Sequence, residues 1–266
     1  MTTPNFCLVF DADNTLWDTN QVFQTAQEAI LETLQKNCLL ISNDIEKEIH
    51  NLRICDQLLV NQTNKYEYDF KLLIAALIWH YGHGMELTKA INHVIINNGN
   101  VPGNQKSIVF EAHYRFTHLL NNIPPLFENT STTLKLIRHQ IHNSIMILFS
   151  EGDPSRLYKI MNAYDKEMKN IFDTIILQAK NKRSFNGVKQ LGAAHFSRRD
   201  SVVFAHIGDS LHRDIKFANQ AGFITFYKPS AYKGNELPKT KDEQPTHIIK
   251  DLNELLAIVF PDSINA

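Results

Sequence analysis

Five short apolar segments constrain the fold of this chain more than any other feature of its sequence. Each is followed by small, polar or charged residues, and none alternates cleanly between apolar and polar positions. Uninterrupted apolar runs of this length are typical of strands buried on both faces, as in a parallel sheet flanked by helices. The segments are Phe6–Phe10, Ser144–Phe149, Thr174–Leu177, Val202–Ile207 and Ile224–Tyr227, and Thr246–Ile249 is a candidate edge strand.

Segments with helical character separate the later apolar runs. Ser131–His142 leads into the second run, and Pro154–Ala163 follows it. His212–Ala221 follows the fourth run and ends at Gly222, a favourable residue for a helix end. This alternation of strands and helices predicts an α/β sheet from about residue 123 onward.

The long stretch between the first and second runs predicts helices alone. Four segments have an amphipathic or uniformly apolar pattern: Gln21–Lys36, Tyr66–Tyr81, Glu86–Asn97 and Lys106–Leu120. The sequence NNIPP at Asn121–Pro125 is a natural linker back into the sheet. We therefore predict an α/β domain of residues 1–19 and 122–266, with an inserted helical domain of residues 20–121.

Composition excludes several classes of protein. The 266 residues carry 27 basic and 28 acidic side chains, a net charge of -1, so no overall field attracts nucleic acid or an anionic membrane. The three cysteines, Cys7, Cys38 and Cys55, are too few for a disulfide scaffold and lack zinc-like spacing. The first residues do not resemble a signal peptide, and no apolar stretch approaches the ~18 residues of a membrane span. We expect a cytoplasmic protein without nucleic-acid or membrane partners.

Two aspartates follow the first apolar run, where ligands of open α/β sheets bind. Asp11 and Asp13 would repel each other at the edge of a sheet of low dielectric. A divalent metal or a role in phosphate chemistry would offset this cost. An Asx turn followed by a helix N-cap is the alternative.

Polar residues also follow the next three runs. Ser150 ends the second run, Lys180 follows the third, and Gly208, Asp209 and Asp214 follow the fourth, where the glycine is expected to allow a tight turn. Each has a simple structural alternative: a helix start, a surface lysine or a capped helix. Together with the first pair, they form an acidic group with one cation and one hydroxyl, which is typical of a Mg²⁺ and phosphate site.

These residues occur in the order of the four motifs of the haloacid dehalogenase-like (HAD) superfamily of phosphohydrolases. VFDADNTLW at 9–17 resembles the DxDxT motif, and MILFS at 146–150 resembles the second motif, which closes in Ser or Thr. KNKRSF at 180–185 resembles the third motif, and HIGDSLHRDI at 206–215 resembles GDSxxxD. The first and fourth motifs are specific, whereas the second and third are weak alone.

The resemblance covers ~6–20 and ~123–228, about half of the chain. It implies a Rossmann-like three-layer core with a parallel sheet, and the helical insertion resembles the C1-type cap that closes over the site in this family. Lys182 is an alternative to Lys180 as the third-motif lysine. Lys180 is favoured because Phe185 then has the spacing associated with the motif. Glu151 occupies a position that varies in the family.

The resemblance also implies roles for the matching residues. Asp11 would be the nucleophile that forms an aspartyl-phosphate, and Asp13 the general acid and then the general base. Mg²⁺ would be bound by the carboxylates of Asp11 and Asp209 and the backbone carbonyl of Asp13. Asp214 would support the metal site or the lysine. Ser150 and Lys180 would hold the phosphate oxygens.

The sequence thus predicts Mg²⁺-dependent hydrolysis of a small-molecule phosphomonoester. Asp13 favours phosphoryl chemistry over carbon–halogen cleavage, because a halide leaves without a proton. A phosphomutase, a module that carries phosphate on Asp11 without rapid turnover, and a structural subunit are alternatives. Sugar phosphates, phosphoglycolate and nucleoside monophosphates all remain candidate substrates. Trp17 would either stack on a substrate or pack within the protein.

Overall fold

Six strands form one parallel sheet in the computed structural model of the chain. Every neighbouring pair is parallel, and the order is β3-β2-β1-β4-β5-β6. The strands are β1 (Asn5–Phe10), β2 (Ser144–Ser150), β3 (Thr174–Leu177), β4 (Val202–Gly208), β5 (Ile224–Tyr227) and β6 (His247–Ile248). The apolar runs of the sequence therefore predicted all six strands, including the edge strand.

The structure describes residues 5–259 apart from 38, 40–41, 43, 64–68, 142, 165, 197–200 and 231–235. The side chains of residues 140, 166, 167 and 169 are also outside the description. The chain divides into two compact units, one of residues 1–20 and 123–266 and one of residues 21–122. Cys7 and Cys55 are buried free thiols, and Cys38 lies outside the described residues.

Helices and their connections make up the described part of the unit of residues 21–122, which contains no strand. Its elements are α1 (Thr19–Lys36), which begins just before the unit, α2 (Ile45–Thr63), α3 (Phe70–His83), α4 (Leu87–Ile96), a 3₁₀ turn (Gly103–Gln105) and α5 (Lys106–Leu120). The sequence predicted four of these helices but not α2, and residues 66–68 of the predicted Tyr66–Tyr81 helix lie outside the description. Leu34, Leu52, Leu77, Ile91 and Phe116 are fully buried in its core.

Helices cover both faces of the sheet in the other unit. They are α6 (Thr130–Gln140), α7 (Pro154–Ala163), α8 (Lys166–Ile171), α9 (Lys182–His195), α10 (Lys216–Gln220) and α11 (Asn253–Val259). Alternate residues of β1 belong to different apolar clusters, with Leu8 and Phe10 in one and Cys7 and Val9 in the other. Because successive side chains of a strand point to opposite faces, these clusters are the two layers between sheet and helices. The predicted α/β three-layer architecture is confirmed.

The strand order places a crevice at the carboxyl end of β1. The chain leaves β1 toward β2 and β3 on one side and returns to β4 and β5 on the other. In open α/β sheets, ligands bind at such a reversal, beyond the carboxyl ends of the strands. The segment after β4 differs from the prediction of one continuous helix at His212–Ala221. A π-helical turn (Leu211–Ile215) comes first, and α10 follows it.

None of the helices in the described part of the chain has the length and apolar character needed to span a bilayer.

Candidate active site

Asp11 lies immediately beyond β1, at the carboxyl edge of the sheet. Its backbone N–H donates to the carbonyl of Ile207 at 2.8 Å, which extends the pairing of β1 with β4. The side chain is buried, and its Oδ2 accepts from the hydroxyl of Thr15 at 3.1 Å. A buried carboxylate costs free energy unless a cation or a donor faces it. The negative charge of Asp11 is compensated by an ion pair between its Oδ1 and Nζ of Lys180.

Asp13 is held by two neutral donors. Its Oδ1 accepts from the indole N–H of Trp17 at 3.0 Å and from the hydroxyl of Thr19 at 2.5 Å. Trp17 is completely buried, so its ring packs within the protein and is not exposed to stack on a substrate. Asp13 itself is only partly buried. The two aspartates therefore lie two residues apart in different electrostatic surroundings.

Ser150 lies at the end of β2, and Lys180 lies in the segment that follows β3. Ser150 is the last residue of β2 and is buried, and its Oγ accepts from the N–H of Gly152 at 3.0 Å. Lys180 is also buried, and its Nζ is 2.5 Å from Asp214 Oδ1 besides its ion pair with Asp11. Lys182 is the exposed first residue of α9. The structure thus brings Lys180, and not Lys182, to the aspartates.

Asp209 and Asp214 are buried in the segment after β4. Asp214 Oδ2 accepts from the backbone N–H of Ser210 at 2.9 Å, and its Oδ1 lies 3.2 Å from Nε2 of His206. With Lys180, three groups therefore surround the Asp214 carboxylate. Ser210 is the N-cap of the π-helical turn, since its side chain accepts from Arg213 N–H at 3.2 Å.

Gly208 serves a purpose that the sequence analysis did not anticipate. We expected it to allow a tight turn, but a Cβ at this position would lie 2.4 Å from Cγ of Asp214 and 2.7 Å from its Oδ2. Both separations are far below van der Waals contact, so a side chain at position 208 would force the Asp214 carboxylate or the backbone to shift. Glycine thus leaves room for the Asp214 carboxylate in its observed position.

These side chains surround one cavity of about 180 Å³. All six predicted site residues line it, together with four others. The lining residues are Asp11, Asp13, Asn14, Ser150, Glu151, Gly152, Lys180, Asp209, Arg213 and Asp214. The cavity is thus built from the segments that follow β1, β2, β3 and β4.

The donor set suits a hard divalent cation. Ligand oxygens of Asp11, Asp209 and Asp214 all lie within 4.8 Å of one another, and the three residues are buried. Mg²⁺ is typically bound in proteins through one or two carboxylates, with water completing its shell, so this cluster offers enough ligands. The side chain of Asp13 does not belong to this cluster. Since Asp214 already faces three donors, its carboxylate is the least accessible of the three.

The electrostatics of the site reflect its crowding. Burial raises the pKa of Asp11 from its ordinary 3.8 to about 8; Lys180 opposes this rise, and the charges of Asp214 and Asp209 add to it. Burial acts against the charge of Lys180, but Asp11 and Asp214 outweigh it and raise the pKa of the lysine. Burial also acts against a charged Asp214, yet Lys180 and His206 hold its pKa low. Burial lowers the pKa of His206. Without a bound cation, the site cannot easily hold all its carboxylates ionised.

Two charged residues of the cavity were not predicted as functional. Glu151 Oε1 accepts from the backbone N–H of Lys180 at 2.6 Å, and its Oε2 lies 3.3 Å from Nη1 of Arg213. The sequence indicated them only through their positions, since Glu151 follows Ser150 and Arg213 precedes Asp214. Their contacts join three loops that are far apart in the chain, so no sequence pattern predicts them.

Lys228, which follows β5, is not among the residues that line the cavity, but it contacts the turn after β1. It is buried, its Nζ lies 3.5 Å from the carbonyl of Asn14, and burial lowers its pKa to about 8. The same rule that identified the other four strand ends, applied to the fifth apolar run, would have found it.

Comparison with known sequences gives a partial family match. Residues 186–255 match the HAD-hydrolase-like family model. This segment contains Asp209 and Asp214 but not Asp11, Asp13 or Lys180. A search of curated proteins found no match.

Comparison with solved structures covers nearly the whole chain. YfnB from Bacillus subtilis, named a HAD-hydrolase and bound to magnesium, has a TM-score of 0.59 at 19% identity, over 97% of this chain and 100% of that chain. A protein from Thermotoga maritima, named as a beta-phosphoglucomutase, has a TM-score of 0.54 at 11% identity, over 96% and 99%. A predicted phosphoglycolate phosphatase from Haemophilus somnus has a TM-score of 0.53 at 15% identity, over 97% and 99%.

At these identities the structural likeness shows the fold, and the family match agrees with it. The chain has the fold of the haloacid dehalogenase-like hydrolases, and its segment 186–255 matches their family model.

Proposed function

We propose that this chain hydrolyses phosphomonoesters of small molecules through an aspartyl-phosphate on Asp11. The observation that carries the proposal is that Asp11 and Asp13 line one cavity but have different partners. Asp11 is paired with the cation Lys180, which favours its ionised form against the effect of burial, and a bound cation would favour that form further. Asp13 accepts from two neutral donors, which stabilise a carboxylate less than a cation does, so it is the candidate for the group that gains and loses a proton.

In the first step, an oxygen of Asp11 attacks phosphorus and the bond between phosphorus and the ester oxygen breaks. Asp13 donates its proton to the departing alcohol. In the second step, Asp13 takes a proton from a water molecule, whose oxygen attacks the phosphoryl group. The bond between phosphorus and Asp11 then breaks, which releases inorganic phosphate and restores both aspartates.

Ser150 and Lys180 are proposed to hold the phosphoryl oxygens that do not react. Ser150 lines the cavity from the end of β2, and Lys180 lines it from the segment that follows β3. Because Lys180 is fixed between Asp11 and Asp214, its charge is in place before the substrate binds.

The carboxylates of Asp11 and Asp209 and the backbone carbonyl of Asp13 are the groups that would hold Mg²⁺, with Asp214 as support. A bound Mg²⁺ would neutralise part of the negative charge that carboxylates and phosphate bring together. The all-helical unit of residues 21–122 corresponds in chain position to the C1-type cap, and we propose that it carries residues that select the substrate.

The test is phosphate release by purified protein across a panel of phosphomonoesters, with Mg²⁺ and with EDTA. We expect release from at least one ester with Mg²⁺ and none with EDTA. Asp11→Asn should lower the turnover rate at least ~100-fold and leave the protein folded, because an amide is not a nucleophile toward phosphorus. Turnover near that of wild type in this variant, or full activity in EDTA, would overturn the proposal. A mutase would instead yield an isomeric phosphate and little free phosphate.

A further inference from the structure

The carboxylate of Glu151 joins the segments that follow β2, β3 and β4. One of its oxygens accepts from the backbone N–H of Lys180, after β3, at 2.6 Å. The other lies 3.3 Å from the guanidinium of Arg213, after β4. Glu151 itself follows β2. We infer that Glu151 is a positioning residue that holds Lys180 in place for phosphoryl transfer, an inference that rests on the proposed function.

The backbone of Lys180 needs such a partner. The sheet ladder ends with the bond from Gln178 N–H to the carbonyl of Ser150 at 3.2 Å. Helix α9 begins after its N-cap, Asn181, whose side chain accepts from Ser184 N–H at 3.0 Å. The N–H of Lys180 thus lies between the two regular elements. Its bond to a charged acceptor is stronger than a bond to a neutral one.

The contact of Glu151 with Arg213 restrains the segment that carries Asp214, the counter-ion of Lys180. Arg213 immediately precedes Asp214, whose Oδ1 is 2.5 Å from Lys180 Nζ. Glu151 therefore restrains both the backbone that carries the lysine and the turn that carries its counter-ion. The Arg213 side chain is 54% exposed, so solvent screens its pair with Glu151. The bond to the Lys180 amide is consequently the stronger restraint.

The opposite end of the sheet offers a matched control. The carboxylate of Asp173 accepts from the backbone N–H of Met146 at 2.8 Å and from Arg138 at 2.7 and 2.9 Å. Met146 lies near the start of β2, and Asp173 directly precedes β3. This carboxylate therefore has the same kinds of partner at the amino ends of the strands, away from the cavity.

The experiment compares Glu151→Met, Glu151→Gln and Asp173→Asn with wild type, using kcat, KM and Tm. Because small displacements of a catalytic group are costly, we expect Glu151→Met to lower kcat about tenfold and change KM by less than about threefold. Glu151→Gln should lose less, because its amide oxygen can still accept from Lys180. Asp173→Asn should keep the wild-type kcat, whatever its Tm.

A second readout does not depend on turnover. In ¹H–¹⁵N NMR spectra, the short bond to a carboxylate should move the Lys180 amide proton downfield and slow its exchange. Glu151→Met should abolish both effects, and Asp173→Asn should preserve them. An inactive wild type with the shifted amide would refute the proposed function while supporting the Glu151 contact.

Three results would overturn the inference about Glu151 itself. One is an active wild type in which the Lys180 amide has an ordinary shift. Another is a folded Glu151→Met protein with kcat within about twofold of wild type, well below the effect expected of a displaced catalytic group. The third is an equal loss of kcat in Asp173→Asn, which would indicate a general effect on stability.

Discussion

At the scale of single residues, the function proposed here depends on the difference between two neighbouring aspartates. Asp11 is buried against a lysine, whereas Asp13 accepts from the neutral side chains of Trp17 and Thr19. A nucleophile must be ionised, and a general acid must carry a proton when the leaving group departs. One short turn of chain thus supplies two carboxylates with different tasks.

This division of tasks predicts a dependence on the leaving group in Asp13→Asn. An alkoxide needs a proton to depart, whereas p-nitrophenolate is stable without one. We expect the variant to lose about a hundredfold or more in first-turnover rate with an alkyl phosphate, and clearly less with p-nitrophenyl phosphate. Rapid-quench measurement of alcohol or p-nitrophenol release tests this. Equal losses with both substrates would contradict a role for Asp13 as the acid.

The raised pKa of Asp11 predicts how the stability of the metal-free protein depends on pH. Between the ordinary value of 3.8 and about 8, folded chains hold a proton on Asp11 that unfolded chains have lost. The free energy of unfolding should therefore fall as pH rises through this range, by up to about 1.4 kcal/mol per pH unit. Asp11→Asn is neutral at every pH and should lack this contribution.

Urea unfolding of both proteins in EDTA, at pH 5, 6.5 and 8, measures the difference. Other titrating groups, His206 among them, are common to the two proteins, so their contributions largely cancel. The variant should gain stability relative to wild type as pH rises. Parallel pH profiles would mean that Asp11 is not held in a site that disfavours its charge.

How much of the site could be predicted depended on where each residue lies in the chain. Asp11 and Ser150 follow apolar runs directly and Asp209 follows one after a single glycine, so the rule for strand ends identified them. Glu151 and Lys228 also lie at strand ends, but their partners, the amide of Lys180 and the carbonyl of Asn14, are backbone groups of other segments. Contacts of that kind depend on the register of the strands, which the sequence pattern does not contain.

At the scale of elements, the junction of β4 with its π-helical turn determines where Asp214 points. Ser210 N–H binds one oxygen of this carboxylate, and Gly208 leaves the space that the side chain fills. A π-helical turn is rare and often occurs at functional sites. The periodicity of the sequence predicted an ordinary helix here, because a single wider turn barely disturbs the pattern.

Gly208→Ala should therefore disturb the site through one methyl group. Its Cβ would lie 2.4 Å from Cγ of Asp214, so the carboxylate must leave the position in which it contacts Lys180 and Ser210, or the backbone must shift. We expect a loss of about 1–3 kcal/mol in the free energy of unfolding, with a marked fall in kcat. Activity assays and urea unfolding measure the two effects.

Gly187→Ala is the control, since a Cβ at Gly187 in α9 meets nothing within 4 Å. It should add about 0.5–1 kcal/mol of stability, because alanine favours a helix, and leave kcat unchanged. A Gly208→Ala protein as active as Gly187→Ala would show that the room left for Asp214 is unimportant.

The helix that the sequence analysis missed shows what limits prediction at this scale. The buried residues of α2 include Ile49, Leu52, Cys55 and Leu59, whose spacing of three and four is helical. Polar and charged residues separate them, and only a narrow face of the helix is buried. The strands were easier to predict, because a strand covered by helices on both faces is apolar at nearly every position.

At the scale of the whole molecule, the charge balance conceals a strong local imbalance. The chain has a net charge of -1, yet five carboxylates and two cationic side chains line a cavity of about 180 Å³. Folding concentrates these carboxylates at one edge of the sheet. Because like charges in a buried site oppose each other, the folded state should gain stability from any cation that binds there.

Mg²⁺ should consequently raise the Tm of the protein. A cation that binds only the folded state adds about 2.7 kcal/mol at a hundred times its Kd. The effect should grow from pH 5.5 to pH 8, because Mg²⁺ competes with the proton that Asp11 otherwise holds. Asp209→Asn should remove most of the Mg²⁺ effect, whereas Asp173→Asn should preserve it. Thermal unfolding with and without Mg²⁺ tests this, and an equal Mg²⁺ effect in Asp209→Asn would place the cation elsewhere on the molecule.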